Sequence, residues 1–171
     1  DDPREDNRTA CMRFGDTIDY LYGLQKLGMK FGLDNISKLM KAAGDPHRSF
    51  RSLHIGGTNG KGSTAAMIES MIRTGGYTTG LFTSPHLVNF TERIRVNGEE
   101  ISEADIVDLA AEVRGISAAI PDFSPTFFEV VTTMAFLYFR LKKVEWAVVE
   151  VGLGGGLDAT NIIRPAVTAI T

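Results

Sequence analysis

Gly56-Gly57-Thr58-Asn59-Gly60-Lys61-Gly62-Ser63-Thr64 stands between a β-run, Phe50 to Ile55, and a segment with the i,i+4 pairs Met67/Met71 and Ile68/Ile72. The run reads as a strand, and the segment reads as a helix ended by Gly75-Gly76. The stretch between them is therefore a glycine-rich strand-to-helix turn. Glycines let the backbone curl so that successive N–H groups point at one anion, and the helix N-terminus adds positive potential. Lys61 can reach outer phosphates, and the hydroxyl of Ser63 or Thr64 can ligate a metal. The spacing departs from the common GxxxxGK[ST] pattern: five residues before Gly60 stands Ile55, and Gly62 separates Lys61 from Ser63. A generic glycine-rich turn is the competing reading. The lysine and hydroxyls at a helix start, straight after a β-run, favour phosphate binding by Gly57 to Thr64.

Working outward, Thr79 to Thr83 reads as a second strand closed by Ser84-Pro85. Arg93 to Val96, the turn pair Asn97-Gly98 and Glu99 to Ile101 read as a hairpin. Ser102 can cap a helix striped by Ile106, Leu109, Val113, Ile116 and Ile120. After a loop marked by Pro121 and Pro125, Phe127 to Leu141 is a largely apolar helix. Glu145 to Val151 is a third strand, apolar before its end as in the middle of a parallel sheet. Gly152 to Gly156 follow it, and Pro165 to Thr171 is a fourth strand. Upstream, residues 1–16 read as a flexible leader. Ile18, Leu21, Leu24 and Leu27 predict a helix that Gly28 and Gly32 interrupt. Asp34 is expected to cap a second helix burying Ile36, Leu39, Met40 and Ala43. Strands alternating with helices predict an α/β fold, a mostly parallel sheet flanked by helices, over residues 17–171. Ligands of such sheets collect beyond the carboxyl ends of the strands, where both glycine clusters fall.

Composition narrows the function classes. The chain has 171 residues with a net charge of −3, which gives no long-range pull toward nucleic acid or anionic lipid. An apolar share of 43% suffices for a core, and no apolar run approaches the roughly 18 residues of a membrane span. The lone Cys11 cannot form an internal disulfide, and the chain is expected to be cytoplasmic.

Glu150 ends the apolar strand Trp146-Ala147-Val148-Val149, where a carboxylate can hold magnesium across from a phosphate loop; a solvent-facing glutamate is the alternative. Ser84 is either a metal or phosphate ligand or part of an ordinary turn, and His86 either binds substrate or is structural. Glu129, just inside a helix, suits capping. Asp158 and Asn161 suit turn formation. Arg93 and Arg95 are read most simply as solvated, with use by a surface near phosphates as the alternative.

These segments resemble the folylpolyglutamate synthase and dihydrofolate synthase group of the Mur ligase superfamily, from about Leu21 to Thr171. The resemblance rests on His54 to Ser63, Val149 to Asn161, Leu81 to Leu87, Glu92-Arg93-Ile94-Arg95 and Phe127-Phe128-Glu129, in order and in spacing. It implies a phosphate-loop ATP-binding domain and an ATP-dependent ligase joining L-glutamate to dihydropteroate or to folate polyglutamates through an acyl phosphate. By the same resemblance, Lys61 and Glu150 are catalytic, and Thr58, Asn59, Gly60, Lys61, Gly62 and Ser63 match the ATP loop. Ser84 and Glu150, with Ser63, are expected to hold Mg2+. Phe127, Phe128, Glu129, Asp158 and Ala159 match the pteroate neighbourhood. Partners are small molecules only, and a monomer is expected. The family's second magnesium-ligand histidine, its modified lysine and its C-terminal Rossmann-like domain have no counterpart here. The expectation is an N-terminal ATPase domain truncated at the C-terminus and inactive alone. The competing class is a phosphate-loop nucleotide-binding module or another Mur-type amino-acid ligase.

Overall fold

The computed structural model describes residues 13–27 and 32–171. Cys11 and Gly28 lie outside them. Helix α1 (Phe14–Gly23) begins inside the expected leader, because Phe14 and Ile18 both pack on the core. It gives way at Gly23 to a short 3₁₀ turn, Leu24–Leu27, so the helix ends earlier than the periodicity predicted. Helix α2 (Asp34–Ala42) buries Ile36, Leu39 and Met40 as expected, but Asp34 sits in its first turn and makes no capping bond.

Strand β1 (Arg51–Gly56) leads into α3 (Lys61–Thr74), which returns to β2 (Thr79–Phe82). A short hairpin, β3 (Ile94–Val96) and β4 (Glu99–Glu100), precedes α4 (Glu103–Ala118) and α5 (Phe127–Leu141). Ser102 caps α4, its hydroxyl accepting from the Asp105 amide at 3.0 Å. Strand β5 (Trp146–Glu150) and strand β6 (Val167–Ile170) complete a sheet of order β4-β3-β2-β5-β1-β6. β2, β5, β1 and β6 run parallel, while β3 pairs antiparallel with β2 and with β4. The mostly parallel sheet predicted from the alternation is present. Among the described residues no helix is long and apolar enough to cross a membrane.

The period of two along β5 divides the core. Val148 faces α3 with Ile55, Leu81 and Ala65, while Ala147 and Val149 face α5 and the remaining helices. Phe136 and Phe139 of α5 are fully buried, and burying such a side chain stabilises by about 1.5–3 kcal/mol. On α3 the sequence overstates the apolar face. Ile68 and Ile72 pack on the sheet, but Met67 and Met71 are 56% and 67% exposed. Adjacent i,i+4 pairs lie about 100° apart on a helix, and the flat sheet covers one of them.

At Gly80 the sheet and α5 approach closely. A Cβ there would come within 2.8 Å of Phe139 Cε1. Gly80→Ala is expected to destabilise by about 1–3 kcal/mol through overpacking, seen as a lower denaturant midpoint at unchanged slope.

Candidate functional site

Because β1, β2, β5 and β6 are parallel, their carboxyl ends share one edge of the sheet. The segments after Gly56, Phe82, Glu150 and Ile170 converge there. Gly60, in the left-handed region at φ +76°, is the N-cap of α3. It offers no side-chain cap, and the first turn carries no acidic residue, so the first amides of the helix have no carboxylate competing for them. Gly57 has φ +136°, and a Cβ on it would collide with Thr171. Thr171 braces the loop, its hydroxyl donating to the Asn59 carbonyl at 2.6 Å and its amide to the Gly56 carbonyl at 3.0 Å. Thr58, Asn59, Gly60 and Ser63 are exposed.

Glu150 pairs in register with Ile55, which places it beside the root of this loop. Its side chain is 5% exposed, so it does not face solvent. One carboxylate oxygen accepts the Ser84 amide at 3.0 Å, and it lies 3.5 Å from where a Cβ on Gly62 would stand. Burial raises the Glu150 pKa, opposed by the Ser84 amide and by the positive charge of Lys61. Lys61 and Glu150 are thus on the same side of the molecule, as convergent loops require.

The Ser84 hydroxyl is buried and has no hydrogen-bond partner. An orphaned hydroxyl beside a desolvated carboxylate is a pair of hard oxygen donors, the set that suits Mg2+. Among the described residues no cluster of three or more His, Cys, Asp and Glu could hold a metal, so any cation here relies on hydroxyl, carboxylate and phosphate oxygens. Ser84→Ala removes an unsatisfied polar group. It is expected to leave the metal-free chain as stable or more stable by about 1 kcal/mol, read from the denaturant midpoint.

Ser84 also lines a cavity of about 570 Å³, together with Phe127, Phe128, Glu129, Asp158 and Ala159. All the residues expected around a pteroate group therefore meet at one cavity. Two of them have structural work as well. Glu129 is the N3 residue of a capping box, accepting the Thr126 amide at 2.7 Å. Asp158 accepts the Leu153 amide at 2.9 Å and the Thr160 amide at 3.0 Å, and so shapes the glycine loop.

Sequence reasoning missed Arg93. Its position on a polar-apolar hairpin reads most simply as solvated, yet it is 6% exposed and lines the cavity. Its guanidinium lies over Phe90 and Phe127, 5.7 and 5.4 Å from their centroids, and no carboxylate ion-pairs with it among the described residues. Its Nε donates to His86 Nδ1 at 2.8 Å, leaving His86 Nε2–H to face Tyr22 Oη at 3.3 Å. His86 is thus a support for Arg93. Burial and the Arg93 charge lower its pKa. Glu92 holds the same turn from outside. It accepts the amides of Asn89, Leu87 and Val88, which keep its pKa at about 2. Arg95, the neighbour two residues on, is bonded to Glu100 at 3.0 Å. Nothing local in the sequence separates the two arginines, since burial of Arg93 depends on Phe127 arriving from a distant helix.

The parallel sheet, the glycine turn and the carboxylate beside it define an α/β domain of the phosphate-loop kind. The chain is 42% identical over 162 residues to the dihydrofolate synthase/folylpolyglutamate synthase of Bacillus subtilis, covering 92% of this chain and 38% of that protein. It superposes on an FPGS–AMPPCP–folate complex with a TM-score of 0.88 at 38% identity, covering 93% of this chain and 40% of that one. A bifunctional folylpolyglutamate synthase/dihydrofolate synthase with Mn, AMPPNP and L-glutamate bound matches with a TM-score of 0.83 at 35% identity, over 90% and 37% of the two chains. No family model matches the chain. The chain is a homologue of the folylpolyglutamate and dihydrofolate synthases, and spans about two fifths of the length of the relatives it matches.

Proposed function

We propose that residues 17–171 form the ATP- and pterin-binding part of a cytoplasmic ligase joining L-glutamate to dihydropteroate or to folate polyglutamates. The observation that carries this reading is the position of Ser84. Its amide bonds Glu150 beside the phosphate loop, and the same residue lines the aromatic cavity. A phosphoryl group leaving the loop would therefore meet a substrate carboxylate where the metal-holding pair stands. Relatives in complex with AMPPCP and folate, and with Mn, AMPPNP and L-glutamate, support it.

In this reading the Gly57–Thr64 backbone and the Lys61 ammonium bind the phosphates, and Ser84, Glu150 and Ser63 supply oxygens to Mg2+. ATP held there with Mg2+ would supply the phosphoryl group that turns a substrate carboxylate into an acyl phosphate as ADP leaves; the glutamate amine would then attack the acyl carbon, forming the amide and expelling inorganic phosphate. Phe127 and Phe128 offer apolar faces to a flat heterocycle, Ala159 keeps the wall open, and Glu129 and Asp158 present carboxylate edges to ring N–H groups. Catalysis is then positioning and charge stabilisation, with no protein nucleophile needed.

Calorimetric titration of the chain with AMPPCP and with pteroate, each with and without Mg2+, tests the proposal. Both ligands are expected to bind, the nucleotide more weakly without Mg2+. Nucleotide binding with no response to pteroate would defeat the ligase reading in favour of a simple nucleotide-binding module.

A further inference from the structure

His54 is a buried histidine for which the proposed chemistry has no use. It lies on β1 two residues before Gly56 and is 5% exposed. Ile55, its neighbour, faces α3, so His54 faces the opposite side of the sheet. There its Nε2 lies 2.8 Å from the Thr160 hydroxyl, a contact across 106 residues of chain. Thr160 is fully buried, and its hydroxyl is in turn 2.5 Å from Asp158 Oδ1.

The direction of these bonds follows from the donor inventory. An ionised carboxylate only accepts, so the Thr160 hydroxyl spends its one proton on Asp158. Its lone pair is then free to accept, and His54 must carry its proton on Nε2. Burial lowers the His54 pKa, against the Asp158 charge, which raises it. The other Asp158 oxygen accepts the Leu153 amide, and a Cβ on Gly152 would stand 3.0 Å from it. The Gly152–Asp158 loop forms one wall of the cavity.

We propose that His54 is a positioning residue: its Nε2–H sets the Thr160 hydroxyl, which orients the Asp158 carboxylate and so holds the cavity wall to the strand that carries the phosphate loop. The ligand arm of the test rests on the pterin reading above, whereas the exchange arm does not.

Amide hydrogen exchange and ligand titration on wild type, His54→Leu and His54→Gln decide it. Glutamine restores an N–H donor near the Nε2 position, and leucine restores only bulk. In His54→Leu, exchange of the Leu153 and Thr160 amides is expected to rise about tenfold or more, with β5 amides unchanged, and pteroate affinity to fall about tenfold at unchanged AMPPCP affinity. His54→Gln should recover most of both. Thr160→Val against Thr160→Ser repeats the comparison if His54→Leu does not fold. Unchanged Leu153 exchange, a uniform rise across the sheet, or a glutamine variant no better than leucine overturns the assignment. A wild type that ignores pteroate while the exchange pattern holds sinks the pterin reading and leaves His54 as the clamp of this wall.

Discussion

Lys61→Ala will weaken binding of an ATP analogue by about 1.5–3 kcal/mol, roughly one to two powers of ten in affinity. The size follows from a charge-assisted contact to phosphate, which is worth about twice a neutral hydrogen bond. Folding should not suffer. Among the described residues Lys61 makes no ion pair, and in the first turn of α3 its unfavourable charge against the helix dipole offsets its attraction for the Glu150 carboxylate. Calorimetry with AMPPCP and a thermal melt on the same sample separate the two effects. A loss of less than about threefold would mean that Lys61 is only part of a turn and takes no share in phosphate recognition.

Glu150→Gln will have opposite effects on stability and on function. Burial is the main cause of the raised Glu150 pKa, so the folded value lies above the ordinary 4.5. A group shifted in this direction favours the folded state fully below its unfolded pKa, and that contribution is lost as pH rises through the folded value. As pH rises through the folded value, the metal-free chain takes on an ionised carboxylate that its surroundings desolvate. Glutamine removes that charge and keeps an oxygen for the Ser84 amide. Thermal melts should show a higher Tm for Glu150→Gln near neutral pH and little difference at about pH 4. The same substitution should cost about ten- to a hundredfold of the Mg2+-dependent part of nucleotide affinity, because a neutral amide oxygen is a weaker ligand for a hard cation. If the variant melts lower near neutral pH, Glu150 is a structural ion and its placement as a metal ligand fails.

Stability lost to a buried carboxylate and to an orphaned hydroxyl is what a site held ready for a cation looks like. Such strain is visible in the folded chain at Glu150 and Ser84. It is compensated by the core beneath. Phe136 packs against Phe82, the last residue of β2 and two residues before Ser84, whose amide holds Glu150.

The elements that can be read without the structure are those whose signal is local. Helix α5 was predicted from Phe127 to Leu141 and occupies those residues, because a long apolar run bounded by Thr126 and a following lysine pair has few alternatives. The β3–β4 hairpin follows from Asn97-Gly98, which both have positive φ. Where the outcome depends on what arrives from elsewhere, the reading fails. Met67 and Met71 are exposed because the sheet reaches only the Ile68/Ile72 side of α3. Arg93 is buried because Phe127 and His86 close over it.

Glycines, a lysine and hydroxyls between a strand and a helix are enough to declare an anion-binding turn, since backbone freedom and helix polarity act within a few residues. Strand–helix alternation likewise declares a parallel sheet with its loops on one edge. The sequence alone therefore determined the fold class and the edge where chemistry gathers. Which side chains share a cavity, which carboxylate loses its water and which histidine clamps the wall were decided only by tertiary packing. Desolvation and hydrogen-bond partnership between residues as distant as His54 and Thr160 exist only once the chain has closed on itself.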